Sequence, residues 1–145
     1  MRTLLDTNIL VHAYNSESPV HRAAREVLRD ALTGNLEAVI TPQVLYEFYA
    51  VSTDPRRVSS PLEPQVAAAI CRDLALSPEM EKIHTSEAST EEALSLAEAH
   101  GLRGPDVFDC VLAATAKQGG VRRIYTENVA DFARFGFLEA VNPLG

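Results

Sequence analysis

Thr3-Leu4-Leu5-Asp6-Thr7-Asn8-Ile9-Leu10-Val11-His12-Ala13-Tyr14 is the stretch from which the fold can be read. Thr3 to Leu5 is a short apolar run of the kind that forms a buried strand, and the spacing predicts a helix over Ile9 to Tyr14. Asp6, Thr7 and Asn8 lie between the two, and each is a good helix N-cap. A strand running straight into a helix opens an α/β unit. Asp6 then stands at the carboxyl end of that strand, where open α/β sheets bind their ligands. Capping accounts for one polar residue at this point but not for three in a row.

The same alternation continues down the chain. A second helix is predicted over Pro19 to Leu32 with Ser18 as N-cap, then a strand at Glu37 to Ile40. Thr41-Pro42 supplies an N-cap and an N1 proline for a helix to about Ser52. Asp54 to Pro64 is a proline- and serine-rich loop before a helix near Gln65 to Leu74. A strand at Met80 to His84 precedes a helix opened by Ser89-Thr90-Glu91-Glu92 and closed by Gly101. Pro105 opens another helix, closed by Gly119-Gly120. Arg123-Ile124-Tyr125 is a strand, followed by a helical turn over Val129 to Phe135 and a last strand at Leu138 to Val141. The expected fold class is α/β, a mostly parallel central sheet of four to five strands with helices on both faces.

No repeat or linker divides the 145 residues, so one domain over 1–145 is expected. No apolar run approaches the roughly 18 residues of a membrane span. Asp6 interrupts the N-terminal apolar run too early for a secretory signal, so the mature chain is expected to begin at Met1. The two cysteines, Cys71 and Cys110, fall in helical apolar patterns and form no C-x-x-C pair, which suits a reducing, cytoplasmic setting and a buried structural role. A formal net charge of −7 argues against holding nucleic acid by bulk positive charge. Local basic groups at Arg22, Arg25 and Arg29, at Arg56-Arg57 and at Arg122-Arg123, or metal ions, would have to do so.

Several carboxylates stand where packing alone does not ask for them. Glu47 lies at the edge of the apolar stripe Val44, Phe48 and Val51, with no lysine or arginine within one helical turn. A carboxylate held there is costly to desolvate unless donors or a cation meet it. In the helix after Pro105, Phe108, Val111, Leu112 and Thr115 are expected to face inward. Asp109 lies beside that stripe and Asp106 about 60° further round. Asp106 favours the helix start through the dipole and is a possible outer ligand. Thr126-Glu127-Asn128 and Asp131 follow the strand at Ile124-Tyr125. In a parallel sheet these groups can face one cleft. Oxygen donors without histidine or cysteine suit Mg²⁺, with Mn²⁺ as a substitute, better than zinc.

Four segments in this order, Leu5-Asp6-Thr7-Asn8, Pro42-Gln43-Val44-Leu45-Tyr46-Glu47-Phe48, Phe108-Asp109-Cys110-Val111-Leu112-Ala113-Ala114-Thr115-Ala116 and Thr126-Glu127-Asn128 with Asp131-Phe132, resemble the PIN-domain ribonucleases of the VapC type, toxins of toxin-antitoxin pairs. The resemblance spans nearly the whole chain and implies a PIN-like three-layer α/β/α fold. It puts Asp6, Glu47 and Asp109 in the places of the family's core acidic residues, as metal ligands and catalytic groups. Many members carry aspartate where Asn128 stands. Asn128 would bind metal through its carbonyl, or Asp131 would supply the missing charge, and the number of metals stays open. Thr126 would orient its neighbours and Asn8 would hydrogen-bond Asp6. The implied chemistry is RNA hydrolysis by metal-activated water, leaving 5′-phosphate and 3′-hydroxyl ends. A homodimer and a cognate antitoxin protein that covers the site are also implied.

Two other classes compete. A PIN-like module that has lost catalysis and only binds RNA or protein would have no reason to keep Asp6, Glu47 and Asp109 together. A phosphoacceptor domain with Asp6 as nucleophile would carry a second aspartate two residues on, where Asn8 stands, or a receiver's acidic pair and late lysine. The four histidines show no zinc spacing and no Ser/His/Asp grouping, and no phosphate-binding G-x-x-x-x-G-K loop occurs.

Overall fold

The computed structural model describes residues 1–145. Its elements in chain order are β1 (Thr3–Leu5), α1 (Thr7–Tyr14), α2 (His21–Thr33), β2 (Ala38–Ile40), α3 (Pro42–Ser52), α4 (Pro64–Leu76), β3 (Glu81–Lys82), α5 (Glu87–Ala99), a 3₁₀ turn (Gly104–Asp106), α6 (Val107–Gln118), β4 (Arg123–Tyr125), α7 (Val129–Ala133) and β5 (Glu139–Val141). The five strands form one sheet in the order β3-β2-β1-β4-β5, and every pairing is parallel.

That order has a direct consequence for the site. The chain moves outward from β1 through β2 to β3, then returns to β4 on the far side of β1 and continues to β5. Right-handed crossovers put helices on opposite faces for opposite directions of travel. Accordingly α1 packs on α2 and α3, and α3 on α4, while α5 packs on α6 and α6 on α7. The expected three layers follow. The point where the direction reverses lies between β1 and β4, and the carboxyl ends of those strands deliver Asp6 and Thr126 there.

The centre of the sheet forms the core. Leu4, Leu5, Val39, Ile40 and Ile124 are fully buried, as central parallel strands covered on both faces require. Phe48, Phe132 and Phe135 are the largest fully buried side chains. Glu81 on edge strand β3 and Glu139 on edge strand β5 are exposed charges that discourage further strand pairing. No helix is long and apolar enough to cross a membrane.

Local chemistry explains most element boundaries, including those that depart from expectation. Thr41 caps α3 through its side chain on the Val44 N–H, with Pro42 in the first turn. Helix α2 begins at His21 rather than Pro19, because the Ser18 hydroxyl accepts from Val20 N–H in a preceding turn and does not cap the helix. Helix α5 begins at Glu87, where Ser86 and Ser89 form a reciprocal capping box that the acidic run had obscured. The chain ends α2 at Gly34 with φ of 80°, a left-handed conformation that disfavours residues with a Cβ.

Helix α6 buries only part of the face expected, Leu112 and Thr115 being buried and Phe108 and Val111 not. Cys110, Leu112, Ala113, Ala114, Thr115 and Ala116 are buried, whereas Phe108 is 53% exposed and Val111 only partly covered. Small residues let α6 lie close to its neighbours, so the buried face follows the alanines and not the bulkiest apolar side chains. Cys110 is buried as expected. Cys71 is only half-buried, and its thiol donates to Leu45 C=O at 3.4 Å.

Candidate active site

Asp6 is the N-cap of α1 and is only 7% exposed. Thr7 N–H donates to Oδ1 at 2.7 Å, Thr126 Oγ1 donates to Oδ2 at 2.7 Å, and Asn8 Nδ2 donates to Oδ2 at 3.2 Å. All three donors are neutral. Burial raises the Asp6 carboxyl above the usual range, the hydrogen bonds oppose that rise, and the Glu47 charge adds to it. The loop after β4 is fixed at both residues: Asn8 Oδ1 accepts from Glu127 N–H at 3.1 Å, and Thr126 Oγ1 accepts from Asn128 N–H at 2.9 Å.

Glu47 projects from α3 toward the same point, because Val44 and Phe48 on either side are fully buried and fix the rotation of the helix. Its carboxylate accepts from Thr7 Oγ1 at 3.1 Å and from Gln43 Nε2 at 2.9 Å, again with no cation. Gln43 Nε2 also donates to Phe108 C=O at 3.1 Å, which ties α3 to the start of α6.

Asp109 arrives from α6 and forms an ion pair with Arg134, whose Nη2 lies 3.2 Å from Oδ2. Burial nevertheless outweighs the guanidinium and pushes the Asp109 carboxyl up to about 6, with Asp131, Asp6 and Asp106 adding repulsion.

Asp6, Glu47, Asp109 and Asn128 line one cleft of about 490 Å³, together with Thr7, Asn8, His12, Arg57 and Glu127. Asp106 and Asp131 are exposed and lie outside that lining, close enough to act on Asp109 through their charge. No three acidic side chains have closed on a single point. Glu47 bonds Gln43 and Thr7, and Asp109 pairs with Arg134. The donor set itself, carboxylate and amide oxygens with burial-raised acids among them, fits Mg²⁺ or Mn²⁺.

Gln43, Arg134 and the pair formed by His12 Nε2 and Glu127 Oε1 at 2.8 Å were not anticipated as parts of this site. Gln43 had a local signal, since it lies one helical turn before Glu47. Arg134 had none, because 25 residues separate it from Asp109.

A stability measurement tests this electrostatic picture. The folded Asp109 carboxyl, at about 6, lies above its ordinary value near 3.8, so the folded state binds the extra proton. The penalty is absent below the ordinary value, grows as pH rises through the interval, and is complete above about 6. In metal-free buffer the melting temperature should therefore fall from pH 4 to pH 6.5 more steeply in the wild type than in Asp109→Asn. Parallel curves would show that burial does not load this carboxyl.

Comparisons with known proteins identify the family of this fold. A family model described as "PIN domain" matches residues 3–138. Ribonuclease VapC24 of Mycobacterium tuberculosis is 30% identical over 140 residues, covering 97% of this chain and 95% of its own length. Ribonuclease VapC33 of the same organism is 27% identical over 139 residues, covering 96% of each. Among solved structures, M. tuberculosis VapC20, titled a Sarcin-Ricin loop cleaving toxin, superimposes with a TM-score of 0.72 at 20% identity, over 94% of this chain and 97% of that one. The Rickettsia felis VapBC2 complex bound to promoter DNA gives 0.67 at 23% identity, over 98% of each chain. With the sheet order, the switch-point cleft and these matches in hand, the chain belongs to the PIN domain family and is a member of the VapC type.

Proposed function

We propose that this protein is a Mg²⁺-dependent endoribonuclease, with Mn²⁺ as a working substitute, and the toxin of a toxin-antitoxin pair acting in the cytoplasm. The observation that carries the reading is the cleft at the β1/β4 switch point, lined by Asp6, Glu47 and Asp109, of which only Asp109 has an ion-pair partner, Arg134. Three carboxylates in a partly buried site are unfavourable unless positive charge arrives with the ligand. That cost also separates the reading from a purely binding module, which gains nothing by keeping it.

Asp6, Glu47 and Asp109 would hold the ion, with the Asn128 carbonyl as a further oxygen donor. When bound, Mg²⁺ supplies Lewis acidity toward phosphoryl oxygens and acidifies a water for attack. The chain's own residues arrange the rest. Thr126 and Asn8 fix the Asp6 carboxylate, and Gln43 and Thr7 fix that of Glu47. Arg57 lines the same cleft and provides a cation for an RNA phosphate. Asp131 and Asp106 contribute negative potential from the rim.

The relatives named ribonuclease and the toxin-antitoxin complexes among the structural neighbours support an RNA substrate and a cognate antitoxin. An exposed apolar surface supports protein partners, antitoxin or second protomer. Tyr46 is 75% exposed, and a groove of about 730 Å³ between α3 and α4 is lined by Leu45, Tyr46, Tyr49, Ala68 and Cys71.

Purified protein incubated with total RNA should produce new fragments with 5′-phosphate and 3′-hydroxyl ends when Mg²⁺ is present, and none in excess EDTA. Saturating antitoxin should block the same cuts. Undiminished cleavage in EDTA would refute the metal-dependent reading.

A further inference from the structure

Arg134 follows α7, and its guanidinium reaches Asp109 on α6, with Nη2 at 3.2 Å from Oδ2. Asp109 is its only ion-pair partner, although Asp131 lies three residues earlier and is exposed. The side chain is held in place from behind. Its Cζ sits 5.2 Å from the centroid of the Phe135 ring, and Phe135 is itself buried and braced edge-on by His100 at 5.4 Å and Phe132 at 6.4 Å. Arg134 Nε is buried with no hydrogen-bond partner. An arginine serving packing alone would be expected to satisfy its donors, since leaving one buried and unpaired is unfavourable. The Nη2 of Arg134 faces the Asp109 carboxylate.

We propose that Arg134 is a positioning residue for the acidic site: a resident counter-charge that holds Asp109 in the cation-free protein and competes with an incoming divalent ion for that carboxylate. The inference rests on the metal-dependent reading above.

Two effects of removing Arg134 oppose each other. Losing the positive charge tightens divalent binding, because a single charge roughly 5 Å from a doubly charged ion changes its affinity by about 10-fold even in the bulk-water limit. Freeing the Asp109 side chain, which has only two rotatable bonds, weakens binding by about 2- to 3-fold, the low end of the cost of immobilising one side chain. The charge wins, so the net direction is tighter binding.

The test is calorimetric titration of the metal-free protein with MnCl₂ at pH 7.5. Arg134→Gln should bind Mn²⁺ several-fold more tightly than the wild type, whereas Arg134→Lys, which keeps the charge, should stay within two-fold of it. Unchanged or weaker binding by Arg134→Gln, at unchanged secondary structure, overturns the proposal. A measurement on the wild type needs no variant: the Arg134 Nε–H resonance should shift during a MgCl₂ titration with the midpoint of the binding isotherm, and a resonance that ignores the ion overturns the proposal as well. If the wild type binds no Mn²⁺, both the metal-dependent reading and this inference fail. If it binds and Arg134→Gln does not tighten it, only the inference fails.

Discussion

Asp6→Asn is expected to lower RNA cleavage by roughly 100-fold or more while leaving the melting temperature at neutral pH unchanged or higher. The loss follows from removing the most buried anionic ligand of the site, since a bound ion and its charge stabilisation typically account for several kcal/mol of a hydrolytic barrier. The retained stability follows from the same burial. The Asp6 carboxyl is raised above its ordinary value chiefly by desolvation, so its ionised form opposes folding at neutral pH. A neutral amide of the same shape removes that penalty, and the Thr126 hydroxyl can turn to accept from it. Initial rates on a fluorescent RNA, set beside a thermal melt, check both halves. Wild-type rates in the variant would remove Asp6 from the site, and a collapsed melt would make it a folding residue.

Phe48→Ala carries the largest expected effect on stability. Phe48 is fully buried and meets Tyr14 of α1 edge-on at 5.5 Å, so it joins the two helices that bring Glu47 and Asp6 to the cleft. Truncating a buried phenylalanine costs about 3–5 kcal/mol. Domains of this size have only about 5–15 kcal/mol to lose. Urea unfolding should show that loss, with Phe48→Leu losing less. Cleavage by any folded fraction should also fall, because α3 loses the anchor that sets the rotation of Glu47. A change below about 1 kcal/mol would mean that α3 is held by something other than its buried face.

The parts of this molecule that were legible early are those fixed by local chemistry. The apolar run Thr3–Leu5, the Thr41-Pro42 cap and the glycines after α5 and α6 punctuate the chain wherever they occur, because strand burial, capping and left-handed φ act over a few residues. The boundaries that moved did so where neighbours competed. Ser18 bonded into a turn instead of a cap, and Ser86 paired with Ser89 ahead of the acidic run. Leu112 and Thr115 of α6 are buried as read, but Phe108 is not, because close packing selected the alanines over side-chain size.

By itself, the sequence determined the alternation of strand and helix, the order of the elements and the placing of Asp6, Glu47 and Asp109 on elements able to converge. These follow from periodicity and from the cost of burying a carboxylate without a partner. Only the tertiary structure decided which donors meet each acid, which of Asp106, Asn128 and Asp131 lines the cleft, and that Arg134 crosses to Asp109. Hydrogen bonds and ion pairs act over about 3 Å, and residues 25 to 120 positions apart reach that range only after the sheet has formed.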